Sequence, residues 1–338
     1  YNIGIGNNAL ESETTGDSSV ALGHEALNVQ VGIDGEVGNT ALGFRSLYKI
    51  VKGQYTTAVG FQSGYYATGS NNTFVGSQAG YGVSQATTTG QNNTAVGANA
   101  LKGFTTGQYN VAIGKDAGTA MTTANYNTIV GAWAGDALTI AGYNTVVGMQ
   151  ALSDATDGAN YNNCFGYHAG KAITSGDYNI LIGNNAGDTM TDTSKTVLIG
   201  DSAGTAINHA DADGTVAIGY QAGLALTSGD GNTAVGYQAL LSCTDDAQST
   251  AIGYQALATA NGASGNNARN TAVGYEALEL NTTGVDNVAV GQKALDAHTT
   301  GNNCVAIGTN SLGANTTAST NVGVGTNTLL VNTTGVNN

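Results

Sequence analysis

The sequence has no proline, and only 9% of its 338 residues are charged. Each shortage excludes something. Ordinary soluble domains carry roughly 25% charge, so a chain this poor in charge is not read as two conventional domains on length alone. Missing proline, with no three-residue glycine period, excludes collagen. No apolar run approaches the roughly 18–20 residues of a membrane-spanning helix, and no secretory leader stands at Tyr1, so no membrane insertion is expected of this segment. Disorder is excluded by a hydrophobic content of 41%, because unfolded chains combine low hydrophobicity with high charge. Nine scattered cations against 23 acids, net −14, exclude nonspecific binding to nucleic acid.

What the chain has is 51 glycines in a repeat that reads N-T-A-V-G-Y-Q-A-L-x-x-x-T-T-G-x-x, as at 232–240 and 287–295. Its positions are numbered 1 to 17 below, with the central glycine at position 5. That glycine recurs nineteen times, and twelve of the eighteen spacings are 17 residues, the rest running from 16 to 21. Seventeen residues with two glycine punctuations are too few for a helical hairpin. They predict one coil of an all-β parallel solenoid, with two short strands and two turns per coil, continuous over residues 1–338. Absent proline fits, since a parallel ladder uses every backbone N–H. Coils rise about 4.8 Å each, which gives a rod on the order of 90 Å.

Position 2 is β-branched in eighteen of nineteen copies, and position 4 is aliphatic in all but Phe165. Residues two apart on a strand share a face, so positions 2 and 4 form one apolar stripe. The position-5 glycines, among them Gly114, Gly131, Gly148, Gly236, Gly253, Gly291 and Gly308, are structural turn residues at a bend that a side chain would obstruct. Position 8 is always Ala, Ser or Thr, and position 1 is Asn in thirteen copies, which predicts a stacked Asn ladder. Position 3 is Ala eleven times. In five of its six larger copies, such as Phe74 and Leu198, position 9 is Gly rather than Leu. Large at 3 with small at 9 means a shared volume, hence a second dry layer on the opposite face. One layer is expected to fill the solenoid and the other to meet a neighbouring subunit.

The runs 19–23 (S-V-A-L-G), 110–114 (N-V-A-I-G), 215–219 (T-V-A-I-G) and 304–308 (C-V-A-I-G) resemble the S-V-A-I-G repeat of trimeric autotransporter adhesin heads, the YadA-like family. The resemblance implies a left-handed parallel β-roll, a homotrimer of side-by-side chains, and binding to host matrix or cell surfaces. The repeat is also similar to glycine-rich repeats of phage tail fibres. This chain departs from the family in its longer period, with the added T-T-G turn, and in showing no coiled-coil stalk or membrane anchor.

Several catalytic patterns are matched, and the repeat accounts for each. Gly200-Asp201-Ser202-Ala203-Gly204 fits a nucleophile elbow, yet the register place of Ser202 holds Gln221, Asn185, His168 and Trp133 in other coils. Gly4, Gly6 and Ala9 mimic a dinucleotide fingerprint without the required helix. Asp211-Ala212-Asp213-Gly214 lacks the remaining ligands of a calcium loop. His24, His168, His209 and His298 lie in different coils, and Cys164, Cys243 and Cys304 fall about four coils apart, beyond disulfide reach. Carboxylates are not paired at a fixed register. No enzyme, cofactor or metal is expected.

The candidate surface contacts are the tips after the glycine: Tyr167, Tyr220, Tyr237, Tyr254 and Tyr275 at position 6, with Phe44, Phe61 and Trp133 at or beside it. Such a row either grips a sugar or a partner or forms a ladder that stabilises adjacent coils. The expected function is a structural and adhesive fibre, extracellular, on a cell surface or on a virion. Its expected partners are further copies of itself, side by side and head to tail, and a cell-surface glycan or protein receptor. The alternatives are a receptor-binding region of a phage tail fibre and a solenoid whose Thr rows at positions 2, 13 and 14 bind ice or polysaccharide. Neither terminus reads as a polar cap, so the sequence is expected to be a stretch of a longer fibre or a subunit that stacks end to end.

Overall fold

The computed structural model describes residues 1–31, 35–260 and 268–338. It is all-β, a parallel β-solenoid of about 19 coils on the 17-residue repeat, in two compact units, Tyr1–Tyr167 and His168–Asn338. In the first unit ten three-residue strands, from Ile3–Ile5 to Asn163–Phe165, occupy positions 2 to 4. Each pairs in parallel with its like in the next coil, Thr128 facing Thr145 and Val130 facing Val147. A two-residue pairing of Gly16–Asp17 with Gly35–Glu36 is added beside them. The second unit has nine such strands, from Ile180–Ile182 to Val322–Val324, again in one-to-one register.

Apart from the two coils that carry Gly16–Asp17 and Gly35–Glu36, each coil among the described residues therefore holds one short strand, not the two that glycine punctuation suggested. Left-handed backbone after the glycine is the reason. In one coil Gln238, Leu240 and Gln248, at positions 7, 9 and 17, have φ of 54°, 52° and 61°, and other coils repeat the pattern. A chain that reverses its hand at alternate residues cannot run extended. It still satisfies its amides by pointing them alternately up and down the stack: the N–H of Gln238 bonds back to Tyr220, and that of Leu240 bonds forward to Ala256.

The interior is built from positions 3, 8, 9 and 12. Ala234, Ala239, Leu240 and Cys243 supply it in one coil of the second unit, and Ala95, Ala100, Leu101 and Phe104 in one of the first, all buried. The inferred sharing of space between positions 3 and 9 is present. A Cβ added to Gly80 would overlap the Phe74 ring, and one on Gly204 would lie 2.8 Å from Leu198 Cδ1. The position-5 glycines have φ between 124° and 146°, and a Cβ there would press on the backbone of the next coil, 2.7 Å from the Gly325 carbonyl carbon in the case of Gly308.

The Asn ladder is also present, and it does more than stack. Asn110 donates through Nδ2 to Asn93 Oδ1 (3.1 Å) and to the Ala124 carbonyl (2.7 Å) on the far side of its own coil. Its Oδ1 accepts the backbone N–H of Asn127 at 3.1 Å. One buried amide thus closes its own coil and joins the next. Leaving such groups unpaired would cost about 1–3 kcal/mol each. All six departures from the 17-residue spacing fall between positions 12 and 17, the T-T-G corner, so positions 1 to 11 keep an unbroken register.

Candidate functional site

Three surfaces run along each unit, and each follows from the coil geometry. The first is the stripe of positions 2 and 4. Position 3 points inward, so its neighbours on the strand must point out. In the first unit Val20, Leu22, Leu42, Ile113, Val147 and Phe165 are 36–43% exposed, and in the second Ile180, Ile182, Ile252, Val290 and Ile307 are 36–42% exposed. Of the two apolar layers, the one at positions 3 and 9 is the interior and the one at 2 and 4 faces outward. The hydroxyls of Thr57, Thr73 and Thr94, in three successive coils of this stripe, make no hydrogen bond among the described residues.

The second surface carries the position-6 tips. Tyr220, Tyr237, Tyr254 and Tyr275 form one stack, with ring centroids 5.1–5.3 Å apart and planes within 17°. Tyr167 is an exposed residue of the first unit. Trp133 stands one place later, with the Lys115 ammonium 4.8 Å from its ring. The stacked rings cover one another's faces and present their edges and hydroxyls to solvent. At the end of that row Glu276 receives a hydrogen bond from the Tyr275 hydroxyl, which holds its carboxyl below the usual range; Lys293, 2.9 Å away, adds to this. The turn glycines Gly114, Gly131, Gly148, Gly236, Gly253, Gly291 and Gly308 all lie at the bend beneath this face, each with positive φ.

Two further aromatic files escaped the sequence reading. Tyr109, Tyr126, Tyr143 and Tyr161, each just before a position-1 Asn, stack at 4.8–5.2 Å. Tyr48, Tyr65 and Tyr81, at position 10, stack at 5.0 and 5.1 Å, with Tyr66 edge-on to Tyr65. Tabulating aromatics by register at all seventeen positions would have found both.

The third surface is the T-T-G corner. Its Thr hydroxyls are used internally: Thr105 donates to the Thr122 carbonyl at 3.0 Å, and Thr282 to that of Thr299 at 3.0 Å.

The catalytic look-alikes are not assembled into a site. Ser202 is a turn residue with φ of 57° whose hydroxyl donates to its neighbour Asp201 at 2.9 Å. Asp213 accepts the Ser194 N–H at 2.7 Å, and the Asp211 N–H bonds to His209 Nδ1 beside a short 3-10 turn. The three cysteines are buried; burial pushes the Cys164 thiol up to about 12 and raises that of Cys243 further. Among the described residues no three His, Cys, Asp or Glu side chains form a group able to hold a metal ion. No helix there is long and apolar enough to cross a membrane.

No protein-family model matches the chain, and no curated protein matches it significantly.

Proposed function

We propose that the protein is a non-enzymatic structural and adhesive fibre, extracellular, on a cell surface or on a virion, in which the outward apolar stripe packs against further copies of the same chain. Three copies side by side is the arrangement implied by the resemblance to adhesin heads. The carrying observation is the stripe itself: a second layer, β-branched at position 2 in eighteen of nineteen coils and aliphatic at position 4 in all but one, that a single chain leaves in water. Contiguous exposed apolar surface of this kind marks an interaction face, and insertions are kept off it. Sedimentation velocity tests the reading. The wild-type chain is expected to sediment as an oligomer, and Ile252→Lys with Ile307→Lys as a smaller species with an unchanged circular dichroism spectrum. A wild-type chain that stays monomeric at every concentration overturns it.

The unbonded hydroxyls of Thr57, Thr73 and Thr94, one per coil, favour a second reading, a regular surface for ice. Thermal hysteresis in the monomeric variant, absent when the three are changed to Val, would establish it.

A further inference from the structure

The outward stripe repeats the same two kinds of residue in every coil but one. Position 2 departs from the β-branched types only at Asn163, and position 4 departs from the aliphatic types only at Phe165. Both departures fall on one strand, Asn163–Phe165, the last of the first unit. Two exceptions scattered independently over nineteen coils would coincide in about one sequence in nineteen, so the pair is read as a single feature.

Strand geometry sets both side chains on the outer face. Asn163 lies opposite Thr145 of the preceding coil, and Phe165 opposite Val147. Cys164 between them is buried, whereas Asn163 is half-buried and Phe165 is exposed. The place in the buried Asn ladder belongs to Asn162, whose N–H bonds to Asn144 Oδ1 at 2.9 Å. The side-chain amide of Asn163 makes no hydrogen bond among the described residues.

We propose that Asn163 and Phe165 form a register key, which aligns copies of this chain parallel and coil for coil. The stripe carries no charge at position 2 or 4 in any coil, and its features recur at about 4.8 Å. A partner with the same apolar period suits it, and a second copy has that period. The same regularity leaves the alignment open, because a slip of one coil merely exchanges Thr and Val for Val and Ile. Asn163 removes that freedom. Where parallel copies meet around an axis along the stack, equal coils face each other, and the Asn163 amides of all copies share one layer. An amide has both donors and an acceptor, so Asn163 is its own complement. A slipped or antiparallel neighbour sets it against the Thr, Val and Ile of other coils, which offer an amide at most a single hydroxyl. Desolvating it there is unfavourable. Phe165 adds a volume that only a layer made for it accepts. A single Asn in a coiled-coil seam fixes register and oligomer state on the same principle, at a cost in stability. The proposal rests on the fibre reading above for the contact through the stripe, and adds the alignment.

The test places a donor dye on Thr15→Cys chains and an acceptor on Thr123→Cys chains. Both sites are exposed, at position 14, six coils apart in the first unit, about 29 Å along the stack. The three native cysteines are buried and do not compete for dye. Traces of both labelled chains are assembled with unlabelled full chain, and energy transfer is read assembly by assembly. Wild type is expected to give one narrow population. N163T/F165V restores residue types of the other coils. It should keep its circular dichroism and sediment as an oligomer, yet split into several populations whose distances step with the coil rise. V111T/I113V, an exchange among the usual types, should keep one population. Several populations in wild type, a single unchanged one in N163T/F165V, or a monomeric N163T/F165V overturns the key and leaves the fibre reading standing. A wild-type chain that stays monomeric overturns both.

Discussion

Glycine has two separate duties in each coil, and single substitutions distinguish them. At position 5 it is imposed by backbone geometry and by the adjacent coil together. At position 9 volume decides, because Leu240 and Leu295 accept the same left-handed φ there, near 52°, at a strain of about 1–2 kcal/mol. Gly80→Ala should therefore cost on the order of 2–4 kcal/mol, since its Cβ meets the Phe74 ring in a packed core. Gly223→Ala should cost only the about 1–2 kcal/mol of left-handed backbone strain, because the nearest atom, Ala217 Cβ, would be 3.6 Å away. Denaturant unfolding of the two variants measures the difference, and similar values for both would refute the shared-volume account.

At the scale of the coil, position 12 shows how a single file can change character. It is apolar at Phe104, Met121 and Leu138, and again at Ile173, Met190, Ile207 and Leu226. It then turns polar at Asn281, His298 and Asn315, all buried. Each polar side chain bonds a carbonyl three residues on: Asn281 to Gly284 at 3.0 Å, His298 Nε2 to Gly301 at 2.7 Å. Burial lowers the His298 pKa, outweighing the Gly301 and Asn315 hydrogen bonds that raise it. A depressed folded-state pKa means that the unfolded chain takes up the proton first. The stability is thus fully present above the ordinary imidazole value of about 6.5 and falls as pH drops below it, by up to about 1.4 kcal/mol per pH unit. The hydrogen-exchange protection factors of the coils around His298, corrected for the slower intrinsic exchange at low pH, should fall between pH 7 and pH 5. His298→Asn, which keeps the bond to Gly301 as Asn281 does to Gly284, should flatten that response.

Much at this scale was legible in the sequence, and the limits have physical causes. The period, the Asn ladder and the trade between positions 3 and 9 are side-chain regularities, and a repeat prints them nineteen times. The second strand was misjudged because left-handed backbone at positions 7 and 9 is carried by Gln and Leu, types that do not announce it as Gly or Asn would. Which apolar layer is inside was equally invisible, since Ala-Leu and Val-Ile layers are both apolar. The aromatic rows at positions 10 and 17 were hidden because each is confined to a few successive coils.

For the molecule as a whole, each coil hydrogen-bonds chiefly to its two neighbours, so stability accumulates coil by coil, as in other repeat proteins. Deleting residues 232–248, one full period, should leave a folded solenoid, because Ser249 then takes the register place of Asn232. Deleting 237–242 should not, since it leaves Gly236 and Gly253 about 11 residues apart, short of the 16 that close the shortest coil. Circular dichroism and melting of the two deletions separate these outcomes; equal damage from both would argue against interchangeable coils.

The corner that takes up every change of spacing has a practical consequence. Because 16 to 21 residues close a coil there without disturbing positions 1 to 11, each unit behaves as a ruler with one soft edge. A foreign peptide grafted at that edge, in any chosen coil, would be held at a fixed mark, with copies within one unit spaced by multiples of about 4.8 Å and the apolar stripe left untouched.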